Sequence, residues 1–229
     1  MKPSKRTRSP GFSLTEILVV IVIIIVLAAI AMISSKALRE KEGAAVCTQN
    51  LRQIGVGLHA YTAGNNGRFP DGSADVSWLG KGMCWYDAAA QNMGRQYDFD
   101  NWRGDPLPSA CGCPSGHGKA YWPSWPYTGD YAANWHLGNE VKTLSAVNNP
   151  AATPYVQDTV LQNNFAHWTF GLRDEKAKEN ISAFADRHAG CGNILWVDGH
   201  VSSFTYAEYM EYANKPSHGG AYGFARGGR

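Results

Sequence analysis

The chain has 229 residues, with 21 Lys and Arg against 19 Asp and Glu. Four of those cations (Lys2, Lys5, Arg6 and Arg8) precede Phe12, so the rest of the chain is near −2 and gives no basis for nucleic-acid binding. Beyond the basic leader and one apolar segment there are about 180 residues, enough for one ordinary domain.

Residues 1–11 form a short basic leader ending in Gly11. From Ile17 to Ile33 there is no polar side chain, and Glu16 stands alone at the mouth of this run. A helix over 12–33 is roughly 33 Å long at ~1.5 Å per residue, which matches a bilayer's hydrocarbon. A carboxylate at the edge of such a segment is costly and needs a partner or a task. The basic leader fixes the topology: it stays in the cytoplasm while the remainder is exported.

Gly11, Phe12, Glu16 as fifth residue of the mature chain, and the apolar helix resemble the N-terminus of type IV prepilins and type II secretion pseudopilins. The resemblance implies cleavage after Gly11 by a prepilin peptidase and N-methylation of the new terminus on Phe12. It also implies that Glu16 meets the terminal amine of a sister subunit when helices bundle into a filament. A subunit out of register would bury a bare carboxylate. Two other readings share the topology. One is a secretory signal peptide with a small-x-small site at Ala29-Ile30-Ala31, although Glu16 and the long apolar run fit it badly. The other is an unprocessed signal anchor.

Residues 34–64 continue the helix in amphipathic form. Lys36, Arg39, Glu40, Lys41 and Glu42 mark the exit into water, and Cys47, Leu51, Ile54, Leu58 and Tyr61 recur as an apolar stripe. Gly55 and Gly57 each weaken a helix by about 1 kcal/mol relative to Ala, unless they admit a close backbone neighbour. Gly64-Asn65-Asn66-Gly67 ends the helix, and Pro70-Asp71-Gly72 continues the turn.

The extracytoplasmic domain spans 65–215. Five prolines between Pro106 and Pro126 make 68–165 mostly irregular, with short helices expected at 75–80, 84–93 and 144–147. Tryptophans dispersed through this stretch, Trp122 and Trp125 among them, read as loop-pinning core, or else as an exposed surface for carbohydrate or protein. Five cysteines are present, an odd number, in a compartment that permits disulfides. A bond from Cys84 to Cys111 or Cys113 is expected, though connectivity cannot be read from sequence.

Strands are expected at 165–170, at 193–197 and from His200 to Tyr206. The last two flank Asp198-Gly199, a strong hairpin signal. Residues 216–229 form a Gly-rich tail.

His188, nine intervening residues and Asp198-Gly199 resemble the C-terminal H-x9-D-G signature of a large group of prepilin-like proteins. Cys47-Thr48-Gln49-Asn50-Leu51-Arg52-Gln53-Ile54-Gly55, Arg68-Phe69-Pro70, Cys113-Pro114-Ser115 and Tyr131-Ala132-Ala133-Asn134 resemble further segments of that group. These signatures point to a family and to no reaction. A structural role for His188, Asp198 and Gly199, spanning the hairpin at 188–199, fits their chemistry; His188 would donate to a carbonyl or to Asp198. A metal site of Asp186, His188, Asp198 and His200 is the sharper alternative, with calcium suggested by the family resemblance and zinc by the histidines. Cys111, Cys113 and His117 form a weaker zinc-like cluster. Ser182 or Ser202 with His188 and Asp198 makes a weak catalytic trio, and no enzyme is expected.

The expected fold is α+β and pilin-like: a long N-terminal helix packed by its second half on a small antiparallel sheet with aromatic-rich loops. The expected function is a structural subunit of a pilus or secretion pseudopilus. Its partners would be the prepilin peptidase with its methylase activity, sister subunits and the inner membrane. A minor pilin or surface binding protein is the alternative, followed by a signal-anchored exported protein with no filament role.

Overall fold

Helix α1 runs unbroken from Leu14 to Gly64. The computed structural model describes residues 13–70, 85–93, 112–116, 130–134, 136–159, 169–170 and 184–213, with the side chains at 31–37, 39, 86 and 169–170 outside the description. The chain divides into two compact units, Met1–Glu40 and Lys41–Arg229.

In the first unit, α1 carries an apolar side chain at nearly every position, so no face is distinct. Each residue from Ile17 to Leu27, and Ile30, is 48–62 % exposed. No helix among the described residues is long and apolar enough to cross a membrane. The span expected over 12–33 lies partly outside those residues.

The second unit contains the rest of α1, helix α2 (Trp85–Asn92), strands β1 (Tyr131–Asn134), β2 (Pro154–Asp158), β3 (Thr169–Phe170), β4 (Cys191–Trp196) and β5 (Val201–Thr205), and helix α3 (Tyr206–Ala213). The sheet order is β3-β1-β2-β4-β5. Four strands are antiparallel neighbours, and the short β3 adds in parallel beside β1. The α+β architecture is therefore as the sequence implied.

Strand β4 organises two cores. Leu195, with Val197 just beyond the strand, faces one core together with Cys47, Leu51, Ile54 and Leu58 of α1. Ile194 and Trp196 face the other, with Phe184 and with Tyr209 and Ala213 of α3. Alternation sends successive side chains to opposite faces, and a strand covered on both sides needs apolar residues throughout. Burying each large aliphatic side chain of the α1 stripe contributes about 1.5–3 kcal/mol.

Gly57 permits the tight packing of α2 on α1, since a Cβ there would lie 2.6 Å from the Ala89 carbonyl oxygen. At the end of α1, Asn66 and Gly67 take positive φ, 56° and 77°, and Gly67 donates to the Thr62 carbonyl. Helix α3 opens with a capping box: Glu208 accepts from the Thr205 amide at 2.8 Å, and the Glu208 amide donates to the Thr205 hydroxyl at 3.3 Å.

Within 68–165, the stretch expected to be mostly irregular, the described residues supply β1 and the central strand β2. Two other expectations need correction. The strand proposed from His200 to Tyr206 ends at Thr205, where the capping box turns the chain into a helix that the sequence reading lacked. The 144–147 helix is a single 3-10 turn, Leu144–Ala146. The helix expected at 75–80 lies outside the described residues, while that at 84–93 corresponds to α2.

Candidate functional site

His188 lies in the tight turn that leads into β4. Its amide donates to the Cys191 carbonyl at 2.9 Å and its carbonyl accepts from the Cys191 amide at 3.1 Å. The two central residues, Ala189 and Gly190, have positive φ of 54° and 83°, which suits the right-handed twist of a hairpin. The turn points the buried imidazole at Cys113, with Nε2 3.5 Å from Sγ, and at Asp158 on β2, 3.6 Å from Oδ2.

Cys113 forms a disulfide with Cys47 of α1, with Cα atoms 5.4 Å apart. The pairing of Cys113 with Cys84 is thereby corrected: the first helix holds the partner. Cys84 and Cys111 lie outside the described residues, as does His117. Cys191 has no disulfide partner among the described residues.

A dense polar network encloses this group. Asp158 Oδ2 accepts from the Asn193 amide at 2.8 Å and from Asn193 Nδ2 at 2.9 Å. The Arg187 guanidinium donates to the Asp130 and Thr159 carbonyls at 2.7 and 2.9 Å, and lies 3.4 Å from Asp130 Oδ1 and 3.6 Å from Asp158 Oδ1. Asp130 Oδ2 in turn accepts from the Cys113 amide at 3.0 Å. Gly116 lies against the Asp130 carboxylate so closely that a Cβ would collide with it. Burial pushes the Asp158 carboxyl up to about 6, against the opposing pull of Arg187 and Asn193. Burial, followed by the Arg187 charge, holds the His188 imidazole below its ordinary value.

Asp198 and His200 belong to the far end of β4. That six-residue strand separates them from His188 by roughly 17–20 Å at ~3.3 Å per residue. Asp198 Oδ1 accepts from the His200 amide at 3.1 Å and pairs with His200 Nδ1 at 2.6 Å, closing the β4–β5 turn in which Gly199 has φ 93°. Burial acts to raise the Asp198 carboxyl, but the hydrogen bonds and charge of His200 leave it lowered. His188 therefore does not tie to Asp198. Nor do Asp186, His188, Asp198 and His200 gather as ligands. Among the described residues, the group of ligand atoms within 4.8 Å of one another comprises Cys47, Cys113, Asp158 and His188.

At the N-terminus, Ser13 is the last residue before α1, and its amide donates to Glu16 Oε2 at 2.8 Å. Its hydroxyl pairs with that of Thr15 at 2.7 Å. Glu16 thus satisfies a free amide at its own helix start, half of a capping box. Gly11 and Phe12 lie outside the described residues.

Residues 6–32 match the family described as the prokaryotic N-terminal methylation motif. The chain has a type IV prepilin-like N-terminus. Such a motif points to a structural pilin or pseudopilin precursor, processed by a prepilin peptidase, rather than to an enzyme. No curated protein and no solved structure matches the chain. The match ends before His188 and Asp198 and does not extend to the H-x9-D-G signature.

The sequence reading of this prepilin-like chain missed Asp158 and Asp130, which β-pairing brings in from distant segments. It also missed the local role of Glu16, although Ser13-Leu14-Thr15-Glu16 carries the S-x-x-E signal of a capping box.

Proposed function

We propose that this chain is a structural subunit of a type IV pilus-type or type II secretion pseudopilus-type filament. Before assembly it is a single-pass inner-membrane protein with its domain outside the cytoplasm. The prepilin peptidase cuts after Gly11, and Phe12 becomes the methylated N-terminus.

One observation carries the reading: an apolar helix exposed on every described face from Ile17 to Leu27, led by one acid. Each such side chain gains about 1.5–3 kcal/mol on leaving water, so the run as a whole favours lipid or sister helices by something on the order of tens of kcal/mol. Apolar burial alone sets no register, because the run is alike at every step. Glu16 supplies the register by pairing with a neighbour's amine in a medium where an unpaired carboxylate costs several kcal/mol.

Isolation of filaments sheared from cells that express the chain tests the proposal. The processed chain is expected in them, and Glu16→Val is expected to leave processed protein in the membrane and none in filaments. Wild-type chain that is processed yet absent from every filament fraction would refute it.

A further inference from the structure

We propose that Cys47, Cys113, His188 and Asp158, once the disulfide is reduced, bind one zinc-class divalent cation. The four residues come from α1, the loop at 112–116, the turn before β4, and β2. All four are buried, and their donor atoms lie within 4.8 Å of one another. Two sulfurs, one imidazole nitrogen and one carboxylate oxygen are a donor set that zinc accepts in four-coordinate form.

Two of the six edges already match that geometry, and the edge between the sulfurs opens only on reduction. With ligand bonds of about 2.0–2.3 Å, the edges of a zinc tetrahedron run from roughly 3.3 to 3.8 Å. Cys113 Sγ to His188 Nε2 is 3.5 Å, and His188 Nε2 to Asp158 Oδ2 is 3.6 Å. The latter is too long for a hydrogen bond but suits two ligands of one ion. The surroundings fit as well. Asp158 Oδ2 is aimed by two donors from Asn193, the support that ligating carboxylates receive in metal sites. His188 Nδ1 and Asp158 Oδ1, both buried, have no hydrogen-bond partner among the described residues. In the disulfide form the partner of His188 Nε2 is a sulfur, a weak acceptor. A cation bound by Nε2 and Oδ2 would replace that weak sulfur contact with a ligand bond and leave Asp158 Oδ1 facing Arg187 at 3.6 Å.

The disulfide and the ion exclude one another. A phosphine or thiol reductant breaks the S–S bond by supplying two electrons, and each sulfur takes up a proton. The metal then displaces both thiol protons and binds the thiolates. In either state α1 is tied to the loop at Cys113, and the metal form adds β2 and the β4 turn to the same knot.

The test uses the full chain in detergent, reduced with a phosphine under anaerobic conditions and titrated with Co2+ and then Zn2+. One equivalent of Co2+ is expected to give thiolate-to-cobalt charge transfer and tetrahedral d–d absorption, both lost on adding Zn2+. The oxidised chain is expected to give neither. His188→Gln and Asp158→Asn should each weaken Co2+ binding by more than about tenfold, since even a supporting residue is worth 10–100-fold, while His200→Gln should leave it unchanged. Should reduction unfold the chain, Zn2+ is expected to restore its circular dichroism. Reduced chain that neither binds an equivalent nor refolds with Zn2+ overturns the proposal, as does binding unaffected by both variants.

Discussion

The amide of Ser13 donates to the carboxylate of Glu16 at 2.8 Å, so the acid at the mouth of the apolar helix already has a partner within its own subunit. This local bond separates two tasks for Glu16. A capping role needs an oxygen acceptor, whereas pairing with a neighbour's amine needs a charge. Glu16→Gln keeps the acceptor and removes the charge. Filament yield from Glu16→Gln is therefore expected to fall as far as that from Glu16→Val, with both variants still processed. Filaments restored by Gln would assign the residue to capping alone.

Gly57 and Gly64 are both on α1 but differ in what surrounds them. A Cβ on Gly57 meets the α2 backbone at Ala89, while a Cβ on Gly64 meets nothing within 4 Å. Gly57→Ala should cost about 1–3 kcal/mol through overpacking. Gly64→Ala should be neutral or stabilise by up to about 1 kcal/mol. Urea unfolding of the two variants checks the contrast.

The Cys47–Cys113 bond closes a loop of sequence separation 66. Replacing both cysteines by serine should lower stability by about 2–4 kcal/mol. A phosphine reductant should lower the unfolding midpoint of the wild type by more than that of the double variant.

His59 lies near the other end of β4, edge-on to Tyr155. Burial lowers its pKa below the ordinary 6.5, against the raising effect of Asp198. Between the folded and unfolded values the unfolded chain binds more protons. The contribution of His59 to stability is thus present above pH 6.5 and is lost as pH falls through that window. His59→Asn is expected to flatten the fall in urea midpoint between pH 7 and pH 5. An unchanged slope would show that His59 is not its source.

Features built from local periodicity were legible before the fold was known. The stripe from Cys47 to Leu58, the stop at Asn66-Gly67 and the hairpin at Asp198-Gly199 each rest on short-range chemistry. Strands β1 and β2 were not legible, because Tyr-Ala-Ala-Asn and Pro-Tyr-Val-Gln-Asp lack alternation. Their polar residues Asn134, Gln157 and Asp158 are buried, and their hydrogen-bond partners come from other segments, such as Asn193 for Asp158 and Tyr209 for Gln157. Proximity in sequence offers Asp198, or a carbonyl, as a partner for His188. The extended strand between them places them at opposite ends, and the acid nearest His188 is Asp158 of β2, 3.6 Å away. The cysteine pairing was illegible for the same reason, since 66 residues separate the partners.

Mass spectrometry of the mature N-terminus of the chain, purified from membranes, tests the central claim most directly. The account predicts N-methylphenylalanine at Phe12, with the apolar helix retained, and loss of this product in Gly11→Ala. A mature chain that starts at Met32, or one that keeps its first eleven residues, would contradict it.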